Sequence, residues 1–250
     1  MNSSLVTYTK LSPNKTSPRN HKIDTITIHC MAGNLSVEQC GKIFSYSSRG
    51  ASSNYGIDSQ GKIGLYVDEV NRSWCSSNKA NDNRAVTIEV ANDGGKETGW
   101  HVSDKAMDAL IRLCADICKR NNIKELKWLG DKNLIGQVDK QNMTVHRWFA
   151  KKECPGDYLY NKHSYIANEV NKLLGIVNTE EKSKPTETFK SYIVIINTDT
   201  LNIRSGAGTK YKIVGNVHKG EAYTIVDEST GWGKLKSGAG WIRLSYTKRK

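Results

Sequence analysis

"DTITIHC", residues 24–30, alternates strictly. Ile26, Ile28 and Cys30 fall on one side of an extended chain, and Thr25, Thr27 and His29 on the other. A strand with one apolar and one polar face belongs to a sheet that covers a core on one side. "RAVTIEVAN", residues 84–92, repeats the arrangement. Val86, Ile88 and Val90 share one face; Thr87, Glu89 and Ala91 share the other. If both strands lie in one sheet, His29 and Glu89 look into the same cleft. "NYGIDSQGKIGLYVDE", residues 54–69, reads as two short strands joined at "DSQG". Helical patterns lie between and beyond these strands. In "SDKAMDALIRLCADICKRNNI", residues 103–123, apolar residues recur at 107, 110, 111, 114, 117 and 118, with Ser103 placed as N-cap. Cys114 and Cys118 fall in that stripe as small core residues. Shorter helices are expected over 36–50 and 160–175, the latter stopped by Gly175. Strands interspersed with helices predict one α/β or α+β domain.

The pattern changes near residue 176. "GIVNTEEKSKPTETFKS", 175–191, is rich in Lys, Glu, Thr and Ser, contains Pro185 and reads as a linker. The expected division is 1–175, a linker over 176–190, and a second domain over 191–250. In that last part short strands alternate with Gly-rich turns, the pattern of a small all-β barrel.

Net charge is +12 over 250 residues, with 37% hydrophobic and 25% charged residues, which fits a globular chain. Residues 1–175 hold 24 Lys and Arg against 18 Asp and Glu; residues 176–250 hold 13 against 7, so the shorter part is the more basic. Such a balance favours acidic partners such as nucleic acid, an anionic membrane or an anionic polymer. No nucleic-acid recognition motif accompanies the scattered lysines. No apolar run reaches the length of a membrane span, and the N-terminal residues lack the apolar core of a signal peptide. The six cysteines are expected as free thiols.

"VHRWFAKKECPG", residues 145–156, sets His146 and Cys154 eight positions apart, with Lys152 just before the cysteine. Zinc accepts imidazole nitrogen and thiolate sulfur, and a catalytic site uses three protein ligands with the fourth position left open. His29, His146 and Cys154 would form such a set, with Cys154 ionised. Lys152 would stabilise negative charge developing on a substrate carbonyl, and Glu89 would carry a proton from the attacking water to a leaving amine. Blander readings exist for each residue: a hydrogen-bonded strand histidine, a solvated glutamate, a structural metal. Cys30 is an alternative thiol ligand, although alternation assigns it to the apolar face. A closed structural site needs a fourth protein ligand, and none stands out.

Taken together, "TITIHCMAG", "ASSNYGIDSQGKIGLYVDEVNRSWCSSN", "AVTIEVAN", the helix after "GWHVS" and "VHRWFAKKECPG" resemble, in order, the type 2 N-acetylmuramoyl-L-alanine amidases, a family related to peptidoglycan recognition proteins. The resemblance covers about residues 20–174 and is nearest to endolysins of clostridial phages and related autolysins. It implies a mixed central sheet flanked by helices, a catalytic zinc, and hydrolysis of the amide between N-acetylmuramic acid and L-alanine. His29, His146 and Cys154 match the zinc ligands, Lys152 the lysine before the cysteine, and Glu89 the glutamate of the bacterial branch. Tyr55 matches a tyrosine that phage-lysozyme-like members place near the metal, and is expected in the catalytic set as a positioning residue. The residue after it is often His in the family and is Gly56 here. The C-terminal part resembles bacterial SH3 domains through "LNIRSGAGTKYKIVGNVHKG" and "GWGKLKSGAGWIRLSYT". Such modules bind cell-wall peptides or polymers. Tyr211, Trp232 and Trp241 are candidates for a binding groove or for the barrel core; Trp74 would touch substrate or anchor its loop. The implied partner is peptidoglycan, with no nucleic acid and no membrane. The implied setting is synthesis in the cytoplasm without a signal peptide and action on the wall after release, as a phage endolysin does. A non-catalytic peptidoglycan-binding protein of the same fold is the alternative.

Overall fold

In a computed structural model of the chain, residues 1–176, 191–209, 211–229 and 231–250 are described. The chain divides into two compact units, Met1–Val177 and Asn178–Lys250. The segment read as a linker, 176–190, lies outside the described residues apart from Ile176.

The strands of the first unit are β1 (Tyr8–Thr9), β2 (Lys15–Thr16), β3 (Thr25–Cys30), β4 (Tyr55–Ile57), β5 (Ile63–Leu65), β6 (Arg72–Ser73), β7 (Ala85–Val90) and β8 (Met143–Thr144). Its helices are α1 (Val37–Ser45), α2 (Lys79–Arg84), α3 (Asp104–Arg120) and α4 (Gly156–Leu173). The central sheet runs β1-β5-β4-β7-β3-β8. It is mixed: β4 and β5 form the antiparallel hairpin, while β4, β7, β3 and β8 pair in parallel. β2 and β6 form a separate small ribbon.

The apolar faces read from the sequence are the faces that pack. Ile26, Ile28, Val86, Ile88 and Val90 are buried against Leu110, Leu113, Cys114, Ile117 and Cys118 of α3 and Leu159 and Ile166 of α4. Each large aliphatic side chain so buried contributes about 1.5–3 kcal/mol, so this layer secures the sheet from one side. The α3 stripe starts where Ser103 accepts a hydrogen bond from the Ala106 amide. α1 starts at a capping box in which Ser36 and Gln39 satisfy each other's backbone amides. Its Cys40 and Phe44 pack with Met31, Tyr66 and Ala91 in a second cluster. Among the described residues no helix is long and apolar enough to cross a membrane.

The second unit contains β9 (Tyr192–Ile196), β10 (Thr200–Arg204), β11 (Ile213–His218), β12 (Ala222–Ser229), β13 (Trp232–Leu235), β14 (Trp241–Arg243) and β15 (Thr247–Arg249). They pair antiparallel in the order β11-β10-β14-β13-β12-β9-β15. Val194, Ile196, Leu201, Ile203, Val217, Ile225, Leu235 and Ile242 fill the centre. This is a small SH3-like barrel, as its turn spacing predicts.

Candidate metal centre

His29 and Glu89 are directly paired in the β3–β7 register, Cα beside Cα, near the C-terminal ends of two parallel strands. Ligand sites of open α/β sheets form at such ends. The polar faces of these strands carry the site on a hydrogen-bonded floor. The Thr27 and Thr144 hydroxyls are 2.7 Å apart. Thr144 donates to Asn81 Oδ1 at 2.9 Å, and Asn81 Nδ2 donates to Thr27 at 3.0 Å and to Ser76 Oγ at 3.2 Å. Ser76 Oγ then meets His29 Nε2 at 3.2 Å. The other His29 nitrogen, Nδ1, is 3.3 Å from Cys154 Sγ.

The 145–156 segment delivers the second histidine and the thiol to this point. His146 opens a short 3-10 turn, and the Arg147 amide donates to the Cys154 carbonyl at 3.1 Å, closing the loop on itself. Such a closed loop brings together two residues that an extended chain would hold far apart. The His29 and His146 rings lie edge to face with centroids 5.1 Å apart. Ser77 Oγ sits 3.1 Å from His146 Nε2. Donor atoms of His29, His146 and Cys154 all lie within 4.8 Å of one another. Above them opens a cavity of about 940 Å³ whose wall includes Cys30, Trp74, Cys75, Glu89, His146 and Lys152.

The electrostatics suit a cation. Burial, with His146 beside it, holds the His29 imidazole well below its ordinary pKa, and burial with Lys152 nearby lowers His146. Both rings are therefore neutral, the ligating form. The hydrogen bond with Cys30, burial and the nearby Glu89 push the Cys154 thiol up. A buried thiol among neutral rings ionises when a metal ion supplies the charge. Two imidazoles and a thiol, each with a donor atom at one point, fit zinc. Burial, and secondarily Cys30, pushes the Glu89 carboxyl up to about 8. Its Oε2 is buried with no hydrogen-bond partner among the described residues. Cys30, expected on the apolar face, stands at the strand end, where its thiol bonds to Cys154 and borders the cavity.

Tyr55 does not join this group. In the β4–β7 register Tyr55 pairs with Ile88, a core-face residue, whereas Gly56 pairs with Glu89. Tyr55 is therefore turned into the apolar layer, fully buried. Its hydroxyl donates to Glu69 Oε1 at 2.6 Å and accepts from the Ser3 amide at 3.0 Å. The position paired with Glu89 belongs to Gly56, and the space above it is taken by Tyr66: a Cβ at Gly56 would meet that ring at 2.6 Å. The Tyr66 hydroxyl is fixed by donating to the Val37 carbonyl at 2.9 Å. Trp74 borders the cavity, and its Nε1–H donates to Thr16 Oγ1 at 3.0 Å. In the barrel, Trp232 is buried beneath the Arg243 guanidinium and offers no groove surface. Tyr211 is exposed and Trp241 half-buried. Cys75, Ser76, Ser77 and Asn81 were not singled out by the sequence, because their loop and short helix carry no periodicity.

Fold and site together define a class: an α/β domain with a His₂Cys cluster that meets a cavity through His146, followed by a small all-β barrel. The family described as N-acetylmuramoyl-L-alanine amidase matches residues 19–157, more than half of the chain, and the bacterial SH3 domain family matches residues 199–248. The chain belongs to the N-acetylmuramoyl-L-alanine amidase family and carries a C-terminal bacterial SH3 domain. It is 32% identical over 71 residues to a putative N-acetylmuramoyl-L-alanine amidase, YrvJ, of Bacillus subtilis (strain 168). That stretch is 27% of this chain and spans only 14% of that relative's length. Similar solved structures include a selenomethionine derivative of AmpD, at TM-score 0.49 and 15% identity over 66% of this chain and 96% of that one. Another is the endolysin LysCS from Clostridium intestinale URNW, at TM-score 0.46 and 19% identity over 65% of this chain and 93% of that one.

Proposed function

We propose that the chain is a zinc-dependent peptidoglycan hydrolase that cleaves the amide between N-acetylmuramic acid and L-alanine and acts as an endolysin. The observation that carries this reading is the convergence of His29, His146 and Cys154 within 4.8 Å, with Glu89 paired to His29 on the same sheet face. His29, His146 and Cys154 hold the ion. Bound zinc supplies Lewis acidity toward a carbonyl oxygen and toward water. Glu89 accepts the proton of the attacking water and returns it to the alanine nitrogen as the C–N bond breaks; a carboxyl with a pKa near neutrality suits both transfers. Lys152, on the cavity wall beside His146, offsets negative charge on the carbonyl oxygen. Trp74 borders the space that the sugar or peptide would fill. In this reading 1–175 is the catalytic domain, 176–190 the linker and 191–250 the wall-binding domain, with Tyr211 and Trp241 as its contact residues. Peptidoglycan is the partner, and no step calls for nucleic acid or a membrane.

The test is turbidity loss of purified cell walls with and without a chelator, together with assay of newly exposed groups. Chelator-sensitive lysis that exposes L-alanine amines and no reducing sugars is expected. Co-sedimentation with walls but no lysis would point to a binding protein instead.

A further inference from the structure

Glu89 is an unusual place to find a loosely held carboxylate. It emerges on the cavity side of a strand, its Oε2 has no hydrogen-bond partner among the described residues, and the basic side chains on the cavity wall make no ion pair with it. Among the described residues, the side chain that hydrogen-bonds its other oxygen is Cys75, whose Sγ lies 3.8 Å from Oε1. A thiol is a weak donor, and at a sulfur distance this is an ordinary S–H···O contact.

Cys75 is itself held from several directions. Its amide donates to Asp82 Oδ2 at 3.0 Å, and the next amide, of Ser76, donates to both Asp82 oxygens at 3.2 and 3.1 Å. Asp82 is buried on α2, a helix whose N-terminus is capped by Asn78. On the other side Trp74 is tied to Ser52 through both its amide and its carbonyl, at 3.0 Å each. The Ser53 and Thr87 hydroxyls lie against the sulfur itself. The backbone on both sides of Cys75 is thus fixed, and its thiol is aimed at one oxygen of one carboxylate.

We propose that Cys75 is a positioning residue: its thiol fixes the Glu89 carboxylate through Oε1 and so sets the orientation of Oε2, the oxygen left without a partner for the proton transfer. A carboxylate with one oxygen held and one free has a single productive orientation, whereas one with two free oxygens rotates about its last torsion. The inference rests on the reading of Glu89 as the proton carrier. Cys75 also has its sulfur within 4.8 Å of donor atoms of His29 and Glu89, so metal content must be read alongside turnover.

The experiment uses the full-length zinc-loaded protein and a soluble muramoyl-peptide substrate. It compares wild type, Cys75→Ala, Cys75→Ser and Glu89→Ala in kcat, KM, bound zinc and thermal midpoint. For Cys75→Ala a fall of about tenfold in kcat is expected, the scale of a slightly misplaced catalytic group. KM and zinc content should stay at wild-type levels. Cys75→Ser, which keeps a donor on a shorter bond to Cβ, recovers part of kcat. Wild-type kcat in Cys75→Ala, or no recovery in Cys75→Ser, overturns the proposal, as does loss of zinc, which would make Cys75 a ligand. If Cys75→Ala does not fold, the near-isosteric pair Cys75→Thr and Cys75→Val decides, since only Thr keeps a donor; equal kcat in the two rejects it. Glu89→Ala separates the two ideas. Wild-type turnover there removes Glu89 from the mechanism, whereas an inactive Glu89→Ala beside a fully active Cys75→Ala removes only the role of Cys75.

Discussion

His163 makes the stability of the first unit depend on pH in a calculable way. Its imidazole is fully buried on α4, its Nδ1–H donates to the Leu159 carbonyl at 2.7 Å, and the Trp128 ring lies 4.4 Å away. Its Nε2 has no partner among the described residues, so a second proton there would be buried without an acceptor. Burial lowers its pKa from 6.5 to about 4. The folded state therefore binds fewer protons than the unfolded state between those values. The contribution is fully present above pH 6.5 and is lost as pH falls toward 4. At 1.36 kcal/mol per pH unit this amounts to roughly 3 kcal/mol, most of it gone at pH 4.5. Urea unfolding at pH 7.5 and 4.5 measures this, with tryptophan fluorescence as the signal, because Trp128 stacks on Trp148 beside His163. His163→Leu is the control. Carboxylate protonation and metal release at low pH affect both proteins and cancel in the difference. Wild type should lose roughly 2–3 kcal/mol more than His163→Leu across that interval. Equal losses would refute the assignment of a neutral, unpartnered His163.

Three further outcomes are expected. Cys154→Ser should weaken zinc retention, measured by metal content after dialysis against a mild chelator; full occupancy would refute Cys154 as ligand. Glu89→Ala should keep its zinc while turnover falls by about 10²–10⁴, and unchanged wall lysis would exclude Glu89. Tyr55→Phe should leave wall lysis intact and cost about 1–3 kcal/mol of stability by leaving the Ser3 amide without its buried acceptor; lost activity without lost stability would return Tyr55 to the site.

The central strands were readable because period-2 alternation is a local property: placing Ile28 in the core also places His29 opposite. Pairing His29 with Glu89 required only that the two strands be neighbours. Tyr55 shows how that logic is lost when resemblance overrides it. Tyr55 and Ile57 alternate about Gly56, so the strand's own pattern already turned the tyrosine toward the apolar layer. Trp232 was ambiguous because a barrel this small uses aromatics both inside and outside, and only the register of β13 decides. Cys75 and Ser76 were illegible because their loop has no period. What fixes them is Asp82, whose carboxylate gathers their amides through contacts that belong to the folded chain alone.

The Tyr66 ring lying over Gly56 makes those two positions a single choice. A side chain at 56 would leave the sheet on the face that carries Glu89, where it meets a ring anchored by Val37. A histidine at 56 in this chain therefore needs a smaller residue at 66 or a displaced Tyr66 ring. Variation at position 56 alone requires the Tyr66 ring to move, whereas covarying 56 with 66 opens a direction of change beside the Glu89 carboxylate.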